Sequence, residues 1–79
     1  MSTLEHGSVS HNPAGQRFEL QKDGHLAVLE YHLQGKTIVF THTGVPAALE
    51  GQGIGSQLAR AGLEYARAQA FKVVSLCWF

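Results

Sequence analysis

The sequence predicts an α+β fold of three antiparallel strands, one helix across them and a final strand, on the strength of three features. Two short turn sequences, Asp23-Gly24 and Gln34-Gly35, separate strand-like runs between Arg17 and Thr43. Apolar residues then recur at helical spacing from Ile54 to about Ala70. A β-branched and aromatic run, Val73-Val74-Ser75-Leu76-Cys77-Trp78-Phe79, follows the helix.

Asp-Gly between two strand-like runs is a strong hairpin signal. Centring the first turn on Asp23-Gly24 pairs Phe18 with Leu29 and Leu20 with Ala27. Centring the second on Gln34-Gly35 pairs Leu29 with Phe40 and Tyr31 with Ile38. Both registers place Phe18, Leu20, Ala27, Leu29, Tyr31, Ile38, Phe40 and His42 on one face, because side chains alternate along a strand. Arg17 falls opposite Glu30 on the other face, which also carries Glu19, Gln21, His32, Thr37 and Thr41 and reads as half solvated.

In the helix, Ile54, Leu58, Gly62, Tyr65 and Ala66 share the side that must cover the sheet, and Gln57, Arg60, Glu64 and Arg67 share the other. Gly62 lies mid-stripe, where a missing side chain brings the helix axis close to the strands. The final run is apolar on both faces, as in strands that lie inside sheets, and it runs parallel to the third strand if the helix is a crossover. Its free edge beside Trp78 and Phe79 leads us to expect a homo-oligomer paired through the C-terminal strand, unless residues 1–16 fold back over it. Sedimentation at micromolar concentration distinguishes the two.

A chain of 79 residues, 44% hydrophobic and 15% charged, is composed like one ordinary globular domain. Six basic residues balance six acidic ones, so no positive stripe is available for nucleic acid or an anionic membrane surface, and neither partner is expected. No apolar run approaches the ~20 residues that span a bilayer, no secretory leader is read, and the lone Cys77 has no disulfide partner; the expected compartment is the cytoplasm. Residues 1–16 read as a flexible or partly ordered tail and residues 17–79 as the domain. His6 and His11 read as solvated tail residues and His25 and His32 as surface residues, and no metal site is expected.

The chemistry-bearing stretch is Val45-Pro46-Ala47-Ala48-Leu49-Glu50-Gly51-Gln52-Gly53-Ile54-Gly55-Ser56. Three alternate glycines at a helix start suit a backbone that turns sharply or lets something come close. The first turn of a helix presents unpaired N–H groups and positive dipole, so that something is expected to be an anion. A glycine-rich linker that merely caps the helix is the plainer alternative. The dinucleotide fingerprint needs Gly-x-Gly-x-x-Gly after a first strand, and the Walker loop needs Gly-Lys-Ser/Thr; neither fits.

With Val45-Pro46 ahead of it, an Ala/Leu-rich helix behind it and the final apolar run beyond, this stretch resembles motif A of the GNAT acetyltransferase superfamily, written Arg/Gln-x-x-Gly-x-Gly/Ala. Gly53-Ile54-Gly55 match that pattern, while Glu50 stands where the superfamily usually has Arg or Gln. His42-Thr43-Gly44-Val45-Pro46, Gly51-Gln52-Gly53-Ile54-Gly55 and Cys77 are similar to the smallest, single-domain branch, and the resemblance runs from Phe18 onward. Members of that branch continue for a further turn and helix, so the resemblance implies a C-terminally short chain or one completed by a second chain.

The resemblance implies acetyl-CoA as the ligand, its pyrophosphate on the N–H groups of Gly51, Gln52, Gly53, Ile54, Gly55 and Ser56, beside Val45. The pantetheine arm would run along the last strand, bringing the thioester to Leu76 and Cys77, where a backbone N–H polarises the carbonyl. Cys77 would either accept the acetyl group or only shape the thioester pocket; its apolar flanks disfavour the thiolate that nucleophilic work needs, and a buried cysteine acting as a small hydrophobe is the third reading. His42 is the candidate base, with the holding of a loop carbonyl as its structural alternative. The function so implied is acetyl-CoA-dependent N-acetylation of a small-molecule or peptidyl amine. The alternatives are a non-catalytic CoA- or nucleotide-binding module and a β-edge interaction domain.

Overall fold

The computed structural model describes residues 9–76. Its elements are β1 (Val9–Asn12), β2 (Arg17–Lys22), β3 (His25–Gln34), β4 (Thr37–Gly44), α1 (Ile54–Ala68) and β5 (Lys72–Ser75). The strands form one open sheet in the order β1-β2-β3-β4-β5, with the helix connecting β4 to a parallel β5. The fold class is the α+β arrangement expected, extended by one strand at the N-terminal side.

The first hairpin has the expected register, Phe18 opposite Leu29 and Leu20 opposite Ala27. Asp23 and Gly24 both take positive φ, 52° and 77°, the conformation whose twist matches paired strands. The second register differs from expectation: Tyr31 faces Phe40 and Leu33 faces Ile38, with Gln34 opposite Thr37. The turn is therefore Gly35-Lys36 and not Gln34-Gly35. Gly35 takes φ of 59°, and glycine supplies that left-handed step without the steric cost Gln34 would carry. Because the slip is two residues, the same side chains still face inward.

Beyond Phe40 the alternation breaks. Tyr31 pairs with Phe40 but Glu30 pairs with His42, which leaves Thr41 as the extra residue of a β-bulge. One added residue reverses which face each later side chain takes. His42 accordingly lies opposite Glu30 on the exposed face, and not on the helix-facing side where the unbroken register put it; Thr43 stands opposite Leu29 instead.

Residues 9–12, read as part of the tail, form β1 against β2. His11 is not a solvated side chain. Its ring stacks on Phe18 at 4.3 Å and meets the edge of Tyr65 at 4.4 Å, and its Nε2 lies 2.6 Å from the Tyr31 hydroxyl. This aromatic cluster ties β1, an outer strand of the sheet, to the C-terminal half of α1. His25 and His32 are exposed, as read.

Along α1, Ile54, Leu58, Gly62 and Ala66 are buried against Phe18, Leu20, Leu29, Ile38 and Phe40. At Gly62 an added Cβ would sit 2.9 Å from Phe40 Cε1 and 3.0 Å from Leu29 Cδ2, so the helix rests directly on the sheet there. Ala70, at φ 59°, ends the helix, and the Phe71 N–H donates to the Ala66 carbonyl at 2.9 Å. β5 then pairs with β4 alone, Ile38 opposite Val73 and Phe40 opposite Ser75. The final strand is thus the outer one among the described residues, with Val73 and Val74 exposed, and not an interior strand. Sequence pattern alone does not separate these cases, since an apolar edge and an apolar interior strand read alike.

Burial lowers the His11 pKa below its usual 6.5, with Tyr31 and Tyr65 the titratable side chains packed against its ring. As pH falls through 6.5 the unfolded chain takes up the proton first, so stability is full above that value and declines until pH passes the lower folded pKa. Thermal unfolding between pH 7.5 and 5 is expected to show this decline, and His11→Phe to flatten it. An unchanged pH slope in the variant would place the titration elsewhere.

Candidate functional site

After β4 the chain turns at Pro46, whose φ of −58° starts a short 3₁₀ turn at Ala47–Leu49; the Leu49 N–H donates to the Pro46 carbonyl at 2.9 Å. Leu49 is buried in the core. It pins the loop, so the glycines that follow are presented from a fixed base. Gly51 and Gly53 both take left-handed φ, 83° and 73°, a conformation costing other residues roughly 1–2 kcal/mol. A Cβ at either would meet nothing within 4 Å. The backbone conformation favours glycine at both positions, and the glycines leave open space over the loop.

Gly53 is the N-cap of α1, with no side-chain cap and no acidic residue in the first turn. The Gln57 N–H donates to the Gly53 carbonyl at 3.1 Å, which begins the helical ladder. The earlier N–H groups of that turn have no partner within the helix and point toward the loop, at the positive end of the dipole. An open cavity of about 290 Å³ lies here, lined by Val45, Gly51, Gly53, Ile54, Gly55 and Ser56 together with Leu49 and Glu50.

Six residues singled out from the sequence therefore meet in one place. Gln52 does not line the cavity: its Oε1 accepts a hydrogen bond from Lys22 Nζ at 2.7 Å and its Nε2 donates to the Ala48 carbonyl at 3.4 Å. Leu76 is also outside the lining, though its N–H donates to the Phe40 carbonyl at 2.9 Å at the end of the β4–β5 pairing. Cys77 lies outside the described residues. His42 stands on the far face of the sheet, across from Glu30. Leu49 was missed as a lining residue, although an apolar residue between Pro46 and the glycines is the signal that marks it.

The β4 segment after the bulge pairs with β3 as far as Gly44 opposite Val28, while its pairing with β5 stops at Phe40. Among the described residues the β5-side edge of Thr41 to Gly44 carries no strand. That edge leads directly into the glycine loop. The described residues include no group of three His, Cys, Asp or Glu placed to hold a metal ion, and no helix long and apolar enough to cross a membrane.

Residues 17–79 match the model of a family described as GCN5-related N-acetyl-transferase. The chain is also similar to Protein NATD1 of Mus musculus, 37% identical over 84 residues that cover 99% of this chain and 76% of that protein. Protein NATD1 of Gallus gallus and of Homo sapiens are each 35% identical over 85 residues, covering all of this chain and 77% and 75% of theirs.

Proposed function

Because the chain belongs to the GCN5-related N-acetyl-transferase family, we propose that it transfers the acetyl group of acetyl-CoA to the amine of a small molecule or peptide. The observation that carries this reading is the open glycine loop, left-handed at Gly51 and Gly53, which feeds a helix start with no side-chain cap and follows the end of the β4–β5 pairing in the chain. A diphosphate suits that first turn, since several N–H groups share its diffuse charge. The amides of the pantetheine arm suit the β5 side of β4 beyond Phe40, where the pairing with β5 ends, in the manner of an added strand.

In the transfer, the amine nitrogen bonds to the thioester carbonyl carbon, the carbon–sulfur bond breaks, and CoA leaves as its thiolate while the amine proton passes to a base. His42 is the proposed base. His42 is exposed next to the bulge, with Glu30 across the strand, so as the base it would meet an acceptor that approaches from the face of the sheet away from α1. Cys77 follows Leu76 in the sequence, and its proposed place is at the thioester, as acetyl carrier or pocket wall.

At a hundred times its dissociation constant, CoA is expected to stabilise the protein by about 2.7 kcal/mol, a shift of roughly 10–20 °C in a domain of this size. Acetyl-CoA with a mixture of primary amines is expected to release free thiol in proportion to the amine. Stabilisation without amine-dependent thiol release would leave a CoA-binding module; no stabilisation would remove both readings.

A further inference from the structure

The glycine loop carries no cation of its own. From Val45 to Ala59 there is no Lys or Arg, and Glu50, which lines the cavity, adds a negative charge to it. A diphosphate with a further phosphate on its ribose would meet helix dipole and backbone N–H groups but no formal positive charge from this segment. The fold brings one from elsewhere. Lys22, the last residue of β2, extends its ammonium to Gln52 Oε1 at 2.7 Å, and Gln52 sits between the two left-handed glycines that line the cavity.

We propose that Lys22 is a phosphate-binding residue of the site, supplying from the first hairpin the positive charge that the loop lacks. This rests on the acetyl-CoA reading above. An ammonium has three donors and Gln52 occupies one, so two remain for phosphate oxygens. Gln52, itself held to the Ala48 carbonyl, fixes where the ammonium stands. The arrangement reads phosphate and not pantetheine, because a point charge on a flexible stem gains most from a fully ionised oxygen.

The test compares CoA, dephospho-CoA and pantetheine by calorimetry at low and at 0.3 M salt, on the wild type, Lys22→Gln and Lys22→Arg. Lys22 is exposed, and all three proteins are expected to fold alike. The expected result is a loss of about tenfold in CoA affinity for Lys22→Gln at low salt, about 1.4 kcal/mol, with weaker salt dependence, recovery in Lys22→Arg and an unchanged response to pantetheine. Dephospho-CoA separates the ribose phosphate from the diphosphate as the group that Lys22 meets: an equal loss with both ligands assigns it to the diphosphate. Wild-type affinity and salt dependence for CoA in Lys22→Gln would overturn the proposal and leave the acetyl-CoA reading standing. An equal loss for pantetheine would also overturn it, by showing that Lys22 only shapes the loop. A wild type that binds no CoA would overturn the acetyl-CoA reading itself.

Discussion

Gly62→Leu is expected to destabilise the protein strongly. Even a Cβ at this position would stand 2.9 Å from Phe40 Cε1 and 3.0 Å from Leu29 Cδ2. Neither neighbour has room to move away, since Phe40 and Leu29 are only 2% and 3% exposed. A leucine must lift the helix from the sheet or push the Phe40 ring and the Leu29 side chain off their rotamers, at a cost of about 3 kcal/mol or more. For a chain of 79 residues the whole stability is of order 4–12 kcal/mol. The melting temperature should fall by at least roughly 12 °C, read by circular dichroism. Gly62→Ala is the graded control, because better helix propensity, about 1 kcal/mol, offsets part of its crowding. A Gly62→Leu protein as stable as wild type would mean that α1 does not rest on β3 and β4 as described.

The largest expected effect on ligand binding is that of Gly53→Val. At φ 73° a β-branched residue is strained by about 2 kcal/mol, and its side chain would stand in the open space over the loop. CoA affinity is expected to fall at least tenfold. Strain alone is controlled by Gly35→Val, which also puts valine at a left-handed glycine, φ 59°, with nothing within 4 Å of the added carbon. Gly35 lies in the turn before β4 and the glycine loop comes after it, so the two are separated by the length of that strand. The control should lose similar stability and keep its CoA affinity. Equal affinities for the two variants, measured by calorimetry at a temperature where both are folded, would remove the glycine loop as the anion site.

What the sequence determined by itself was local or periodic. Asp23-Gly24 set the first hairpin because its conformational preference is carried by two adjacent residues. The inward set Phe18, Leu20, Ala27, Leu29, Tyr31, Ile38 and Phe40 survived a wrong second register, since a two-residue slip leaves a period of two unchanged. The glycines marked the loop because left-handed backbone, as at Gly51 and Gly53, favours glycine over residues with a side chain. Tertiary structure decided the rest. The bulge at Thr41, which no turn residue announces, arises from fitting β4 to β3 and carries His42 to the opposite face. Strand β1 has no pattern of its own and exists through contacts distant in sequence, His11 with Phe18, Tyr31 and Tyr65. Lys22 reaches Gln52 across 30 residues of chain, a meeting set only when the helix and its loop settle on the sheet. Local preference is written in neighbouring residues, whereas a contact between distant ones depends on packing that no short stretch of sequence contains.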